Sequence, residues 1–149
     1  MIVVLAGAAF AGDGVVVHGT ARTHHPYCGG ASPSPEMAAG AWTPDAGVTF
    51  VVTAGSTHTD ARPVATFRTD ASGAFSLTLP PGQYCVVPEA RGPAPTSAPP
   101  GADLACLVAQ WRTCAAVADV KGAPVSLAID THRPCSWNPL CGPMGPPPP

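Results

Sequence analysis

Residues 24–31, His-His-Pro-Tyr-Cys-Gly-Gly-Ala, place two imidazoles and a thiol within five positions. Downstream, His132 and Cys135 repeat the two-residue gap that separates His25 from Cys28. An H-x-x-C pair lets one loop offer two ligands to one ion, and two such loops in contact would build a two-His, two-Cys tetrahedral zinc site. Adding His24, Met37 and Met144 gives a donor set that also suits copper. The candidate metal ligands are therefore His24, His25 and His132, with histidines ranked ahead of thiolates because exported proteins usually oxidise their cysteines. The competing reading makes Cys28 half of a disulfide, with Gly29 and Gly30 allowing close backbone approach.

Export is the expectation that weighs between these two. The chain opens MIVVLAGAAFAGDG, an apolar run closing on Ala9-Phe10-Ala11, an A-x-A pattern of the kind signal peptidase cuts. Cleavage after Ala11 is expected, leaving a single domain over 12–141 and a proline-rich tail over 142–149. Six cysteines (Cys28, Cys85, Cys106, Cys114, Cys135, Cys141) behind such a leader read as three disulfides in a secreted, periplasmic or cell-surface protein. Fifteen pairings are possible. The short separations favour 106–114 and 135–141, which leaves 28–85, a closure worth roughly 3–4 kcal/mol on the chain-entropy model.

Other chemistry finds less support. The acidic residues fall mostly in expected turns; Asp70 reads as a turn former, Asp130 as a strand-end cap, and His58 as a solvated loop residue. No G-x-S-x-G elbow is present to motivate a serine nucleophile. The formal charge is −2 with no Lys/Arg cluster, so nucleic acid is excluded as a partner class. Beyond the leader, nothing approaches the ~18 apolar residues of a membrane span. Trp42, Trp111 and Trp137 lie in loop or cysteine-flanked segments, where they either pack beneath those segments or form an aromatic platform for a carbohydrate or protein partner.

The elements that must position these groups are strands. Twenty prolines in 149 residues block long helices. Residues 14–22 alternate, with Val15, Val17 and Ala21 opposite Val16, His18 and Arg22. Residues 23–47 read as a long turn-rich excursion. Strands follow at 48–52 and 63–69, with Ala65 and Phe67 sharing a face. In 69–87, a TDASG turn is built on Asp70 and Gly73. An AFSLTL strand then buries Phe75, Leu77 and Leu79. Pro80-Pro81-Gly82 forms a second turn, with the glycine in the left-handed position, so that the following QYCVV strand closes a β-hairpin. Tyr84 and Val86 share its inner face, Cys85 points outward, and the Tyr84 hydroxyl is expected to hydrogen-bond backward in the manner of a tyrosine corner. Residues 91–102 form a Pro/Ala-rich surface loop, 103–115 a short helix or disulfide loop, and 123–130 a last strand. Five to seven short strands with Pro/Gly turns indicate an all-β sandwich.

The run TD-x-x-G-x-F-x-x-x-LPPG-x-Y, with the opening G-x-V-x-x-G and the GVTFVV strand, resembles the carboxypeptidase regulatory-like domains of bacterial secreted proteins over about residues 14–90. The chain is also similar to uncharacterised secreted proteins that combine YCGGA-x-P with LPPG-x-YC and a cysteine-bearing tail. The resemblance implies a transthyretin-like, prealbumin-type Greek-key β-sandwich, here with a cysteine-rich C-terminal extension, and a non-catalytic interaction or structural module. Two related enzyme groups fit poorly. Hydroxyisourate hydrolases end in a YRGS signature, whereas this chain ends GPMGPPPP. Intradiol dioxygenases hold iron with two tyrosines and two histidines, and the only tyrosines here are Tyr27 and Tyr84, the latter assigned to the core. The expectation is a secreted non-catalytic module without a cofactor; its rival is an extracellular zinc or copper binder using His24, His25 and His132.

Overall fold

The computed structural model describes residues 14–146; the expected leader and its cleavage site lie outside the described residues. Alternation dictates the first strand, β1 (Val15–His25), which runs three residues beyond the end its sequence pattern indicates. Its inward side chains Val15, Val17 and Ala21 are buried while Val16, His18, Thr20 and Arg22 are exposed. The segment 23–47 is correspondingly more ordered than a loop. After a one-turn helix α1 (Pro35–Ala38) capped by Ser34, the strand β2 (Ala41–Pro44) returns antiparallel to the end of β1.

The remaining strands are β3 (Thr49–Ala54), β4 (Ala65–Arg68), β5 (Ala74–Leu79), β6 (Gly82–Pro88), β7 (Ala116–Val120) and β8 (Val125–His132). They form two four-stranded sheets. In the first, β2 and β5 pair antiparallel with successive halves of one edge of β1, and β8 runs parallel along the other edge. The second has the order β4-β3-β6-β7, antiparallel throughout. The inner faces share one core, Val17, Ala21, Leu79 and Ile129 from the first sheet meeting Phe50, Val52, Tyr84, Val86 and Val120 from the second. Full burial of each large apolar side chain there contributes about 1.5–3 kcal/mol. The chain is thus an all-β sandwich.

One expectation fails instructively. β5 and β6 do not form a hairpin, because β5 pairs with β1 and β6 with β3 and β7. Pro80 and Pro81 arch the chain from one sheet to the other, and lacking amide protons they could not close a ladder. Gly82 sits at φ 158°, almost extended, not in the left-handed position. The TDASG turn also crosses between sheets, from β4 to β5. There the expectation holds: Gly73 has φ 79°, and the Asp70 carboxylate accepts from the amides of Ser72 (2.8 Å) and Ala74 (2.9 Å) and from the Ser72 hydroxyl (2.7 Å). These hydrogen bonds, Ser72's side chain first, hold the Asp70 carboxyl below its usual range.

A second buried layer lies on the outer face of the second sheet. Cys85 and Val87 point outward from β6 yet are buried, and a disulfide from Cys85 to Cys114 ties the segment that follows a helix, α2 (Leu104–Arg112), onto this face. The Asp103 side chain caps α2 by accepting from the Cys106 amide at 2.9 Å. Trp111 is buried in this layer, donating its indole N–H to the Gly92 carbonyl at 3.0 Å. The strand β7 is hidden in the sequence by its brevity and by Asp119 next to its end.

Candidate functional site

The three disulfides are Cys28–Cys135, Cys85–Cys114 and Cys106–Cys141. All six cysteines are paired, but none of the three expected pairings forms. Separation along the chain misled, because sheet pairing outweighs it. The parallel alignment of β1 with β8 carries both H-x-x-C loops off the same end of the sheet, so Cys28 meets Cys135 and not Cys85. Cys85 does strap an outer segment onto its sheet, but that segment is the link from α2 to β7. Cys106 holds the C-terminal segment against α2, where the Cys141 carbonyl also accepts from the Asp103 amide at 2.9 Å.

The two H-x-x-C loops therefore do come together, and their thiols are consumed by bonding to each other. The two-His, two-Cys centre is thereby corrected: two sulfur ligands are gone. Among the described residues, no group of three or more His, Cys, Asp or Glu side chains is arranged to hold a metal ion.

The same alignment assembles something else on the outer face of the first sheet. His24 lies opposite Trp42 of β2 on one side and opposite His132 of β8 on the other. Alternation sends all three side chains outward. Their rings form a triangle, with centroids 4.9 Å apart for His24–Trp42 and 5.2 Å for both His24–His132 and Trp42–His132. His25, the neighbour, faces the other way and bonds the Thr43 hydroxyl through Nε2 at 2.8 Å. The histidine that meets His132 is thus His24, and His25 is set apart from it.

One step along the strands, Arg22 lies opposite Asp130. The guanidinium grips the carboxylate through Nε (2.8 Å) and Nη2 (3.1 Å), and its Cζ lies 4.2 Å from the Trp42 ring centroid. The hydrogen bond to Arg22 holds the Asp130 carboxyl below its usual range, and Asp130 in turn raises the Arg22 pKa. Asp130 is therefore not a strand-end cap. Both partners are solvent-exposed, so the pair adds little to stability; its effect is to fix the guanidinium over the indole. Trp42 remains 40% exposed. Trp42 is one of the three tryptophans the sequence offers as a platform, whereas Arg22 is not among its expected metal or binding residues. Extending the alternation of β1 beyond residue 22, and that of β8 beyond 130, was the signal that would have placed His24, His132 and Asp130 on one surface.

Near α2, His58 departs from the expectation of a solvated loop residue. It is 7% exposed, its ring packs 4.3 Å from that of Trp111, and its amide donates to the Arg112 carbonyl at 2.8 Å. Its Nδ1 is buried with no hydrogen-bond partner. Burial, with the nearby Arg91 charge as a second cause, lowers the His58 pKa. Trp111 and Trp137 act structurally, the latter donating to the Cys28 carbonyl at 3.2 Å beside the Cys28–Cys135 bond. Only Trp42 is offered to solvent as a platform.

No family model matches the chain, and no curated protein or solved structure matches it either.

Proposed function

We propose that this protein is a secreted, non-catalytic binding module whose working surface is the outer face of the first sheet. The observation that carries this reading is the cluster of Trp42, His24, His132, Arg22 and Asp130, built on three paired strands and left facing solvent. Strands hold side chains more rigidly than loops do, and an exposed indole flanked by polar groups is typical of recognition surfaces. Three disulfides agree with an oxidising compartment outside the cytoplasm. The groove beside α2 has an apolar lining that includes Ala105, Val108, Ala109 and Val117, which favours packing over acid–base chemistry.

We further infer that the sandwich is of the carboxypeptidase regulatory-like, transthyretin-like Greek-key type. The strand orders β5-β1-β8 and β4-β3-β6-β7, with β1 and β8 parallel, support that reading. So does the position of the TD-x-x-G-x-F-x-x-x-LPPG-x-Y run, which forms both arches between the sheets.

The test is a ligand panel of neutral and acidic polysaccharides, peptides and divalent metals, read by calorimetry against wild type and a Trp42→Ala/Arg22→Ala double variant. The expected result is a ligand retained by wild type and lost from the variant. Equal retention of every ligand by the two proteins would overturn the assignment of this face.

A further inference from the structure

The geometry points to a transition-metal site held by His24 and His132, one that takes Cu(II) most tightly. This inference rests on the outer face of the first sheet being the working surface, and it names the ligand chemistry of that face. Three observations carry it.

The first is spacing. Two imidazoles on neighbouring positions of one ion, through metal–nitrogen bonds of about 2.0–2.1 Å, have ring centroids about 4.5 Å apart in a tetragonal ion and about 5 Å apart in a tetrahedral one. The His24 and His132 centroids are 5.2 Å apart. The two rings come from directly opposed positions on paired strands, so the backbone itself maintains that distance. The Cys28–Cys135 disulfide, just beyond both strand ends, keeps the two ends together.

The second is the state of the His24 ring. Its Nε2 lies 2.8 Å from the Ala39 carbonyl oxygen. A carbonyl only accepts, so Nε2 carries the proton, and in the neutral ring Nδ1 holds the free lone pair. Metal-binding histidines commonly donate their second ring N–H to a backbone carbonyl in this way, which fixes both tautomer and orientation. Gly40, at φ 69°, follows Ala39 and lies against the His24 ring: a Cβ there would approach Nε2 to 2.7 Å. The turn that supplies the carbonyl thus leaves room for the imidazole only because residue 40 is glycine.

The third is the surrounding charge and ring set. Asp130, two positions before His132, places a carboxylate on the same face of β8, where Arg22 holds it. Trp42 closes the third side of the triangle, its centroid 4.9 Å and 5.2 Å from the two imidazoles. With two protein nitrogens as ligands, the remaining positions belong to water. Such a site is open and exchangeable, suited to carrying or sensing an ion and not to locking one into the fold. Among divalent ions that favour imidazole, Cu(II) heads the affinity order.

The test uses the full, untagged, disulfide-intact chain titrated with Cu(II), Ni(II) and Zn(II), followed by calorimetry and by tryptophan fluorescence. One ion per chain is expected, with Cu(II) tightest and its binding quenching Trp42. His24→Gln and His132→Gln should each weaken binding at least about tenfold, the scale on which metal sites respond to a lost contact. His25→Gln and His18→Gln should leave it unchanged. Trp42→Phe should retain the calorimetric signal and lose most of the quench. His132→Gln alters an exposed side chain, and a matching melting temperature confirms that its fold is intact. Absence of saturable binding, or binding that survives both His24→Gln and His132→Gln, would overturn the site. If metal fails while a polysaccharide or peptide still depends on Trp42 and Arg22, the binding-module reading stands and the metal site alone falls.

Discussion

Cys28 and Cys135, 107 residues apart in sequence, are bonded with Cα atoms 5.5 Å apart just beyond the paired ends of β1 and β8. This disulfide closes the longest loop of the three and locks β1 to β8, which run parallel. A ring of that size contributes about 4–5 kcal/mol on the chain-entropy model. The Cys28→Ser/Cys135→Ser double variant should therefore unfold at clearly lower urea concentration, with a larger m-value because the unlinked denatured chain exposes more surface. A loss under about 1 kcal/mol would mean that the strand pairing needs no clamp.

His58 sets a pH dependence. Its folded-state pKa is lowered, mainly by burial, so the native state binds fewer protons than the unfolded chain as pH falls past the ordinary histidine value of 6.5. The stabilisation is fully present above that value and is lost on acidification through the window below it. Melting temperature should thus drop between about pH 7.5 and about pH 5, and the slope should flatten in His58→Gln. An unchanged slope in the variant would assign the acid sensitivity to other groups.

Gly73 combines two demands that alanine fails. Its φ is 79°, and an added Cβ would run into the Ala21 carbonyl oxygen and come within 3.2 Å of the Pro44 Cβ. The Gly73 carbonyl also accepts from the Ala21 amide at 2.8 Å, bridging the gap between β5 and β2 along β1. Gly73→Ala should cost about 1–3 kcal/mol in chemical denaturation. Gly122→Ala, where a Cβ meets nothing within 4 Å, serves as the control and should be near neutral.

The Tyr84 hydroxyl donates to the Pro80 carbonyl at 2.8 Å, four residues back across the arch between sheets. Tyr84→Phe keeps the ring in the core and removes only this bond. A loss of about 1 kcal/mol is expected. Equal stability of the two proteins would show the arch to be held by packing alone.

Much of the fold was legible locally. Alternation in 14–22, 74–79 and 84–86 placed Val17, Phe75, Leu79 and Val86 in the core and His18 and Cys85 on outer faces, because a strand has a period of two whatever its partner. Asp70 and Gly73 were readable as a turn because their chemistry acts within four residues. Partner choice was not legible. Whether AFSLTL and QYCVV pair with each other or with strands elsewhere leaves the same local pattern, so an arch between sheets looked like a hairpin. The same physics governs the cysteines and the candidate site. Sequence determined that six thiols would pair and that histidines cluster near them. Only the parallel registration of β1 with β8 decided that Cys28 bonds Cys135, that His24 and not His25 faces His132, and that Arg22, Trp42 and Asp130 join them. Contacts across about a hundred residues depend on which strands lie side by side, and hydrogen-bonded register fixes that only once the whole sandwich has closed.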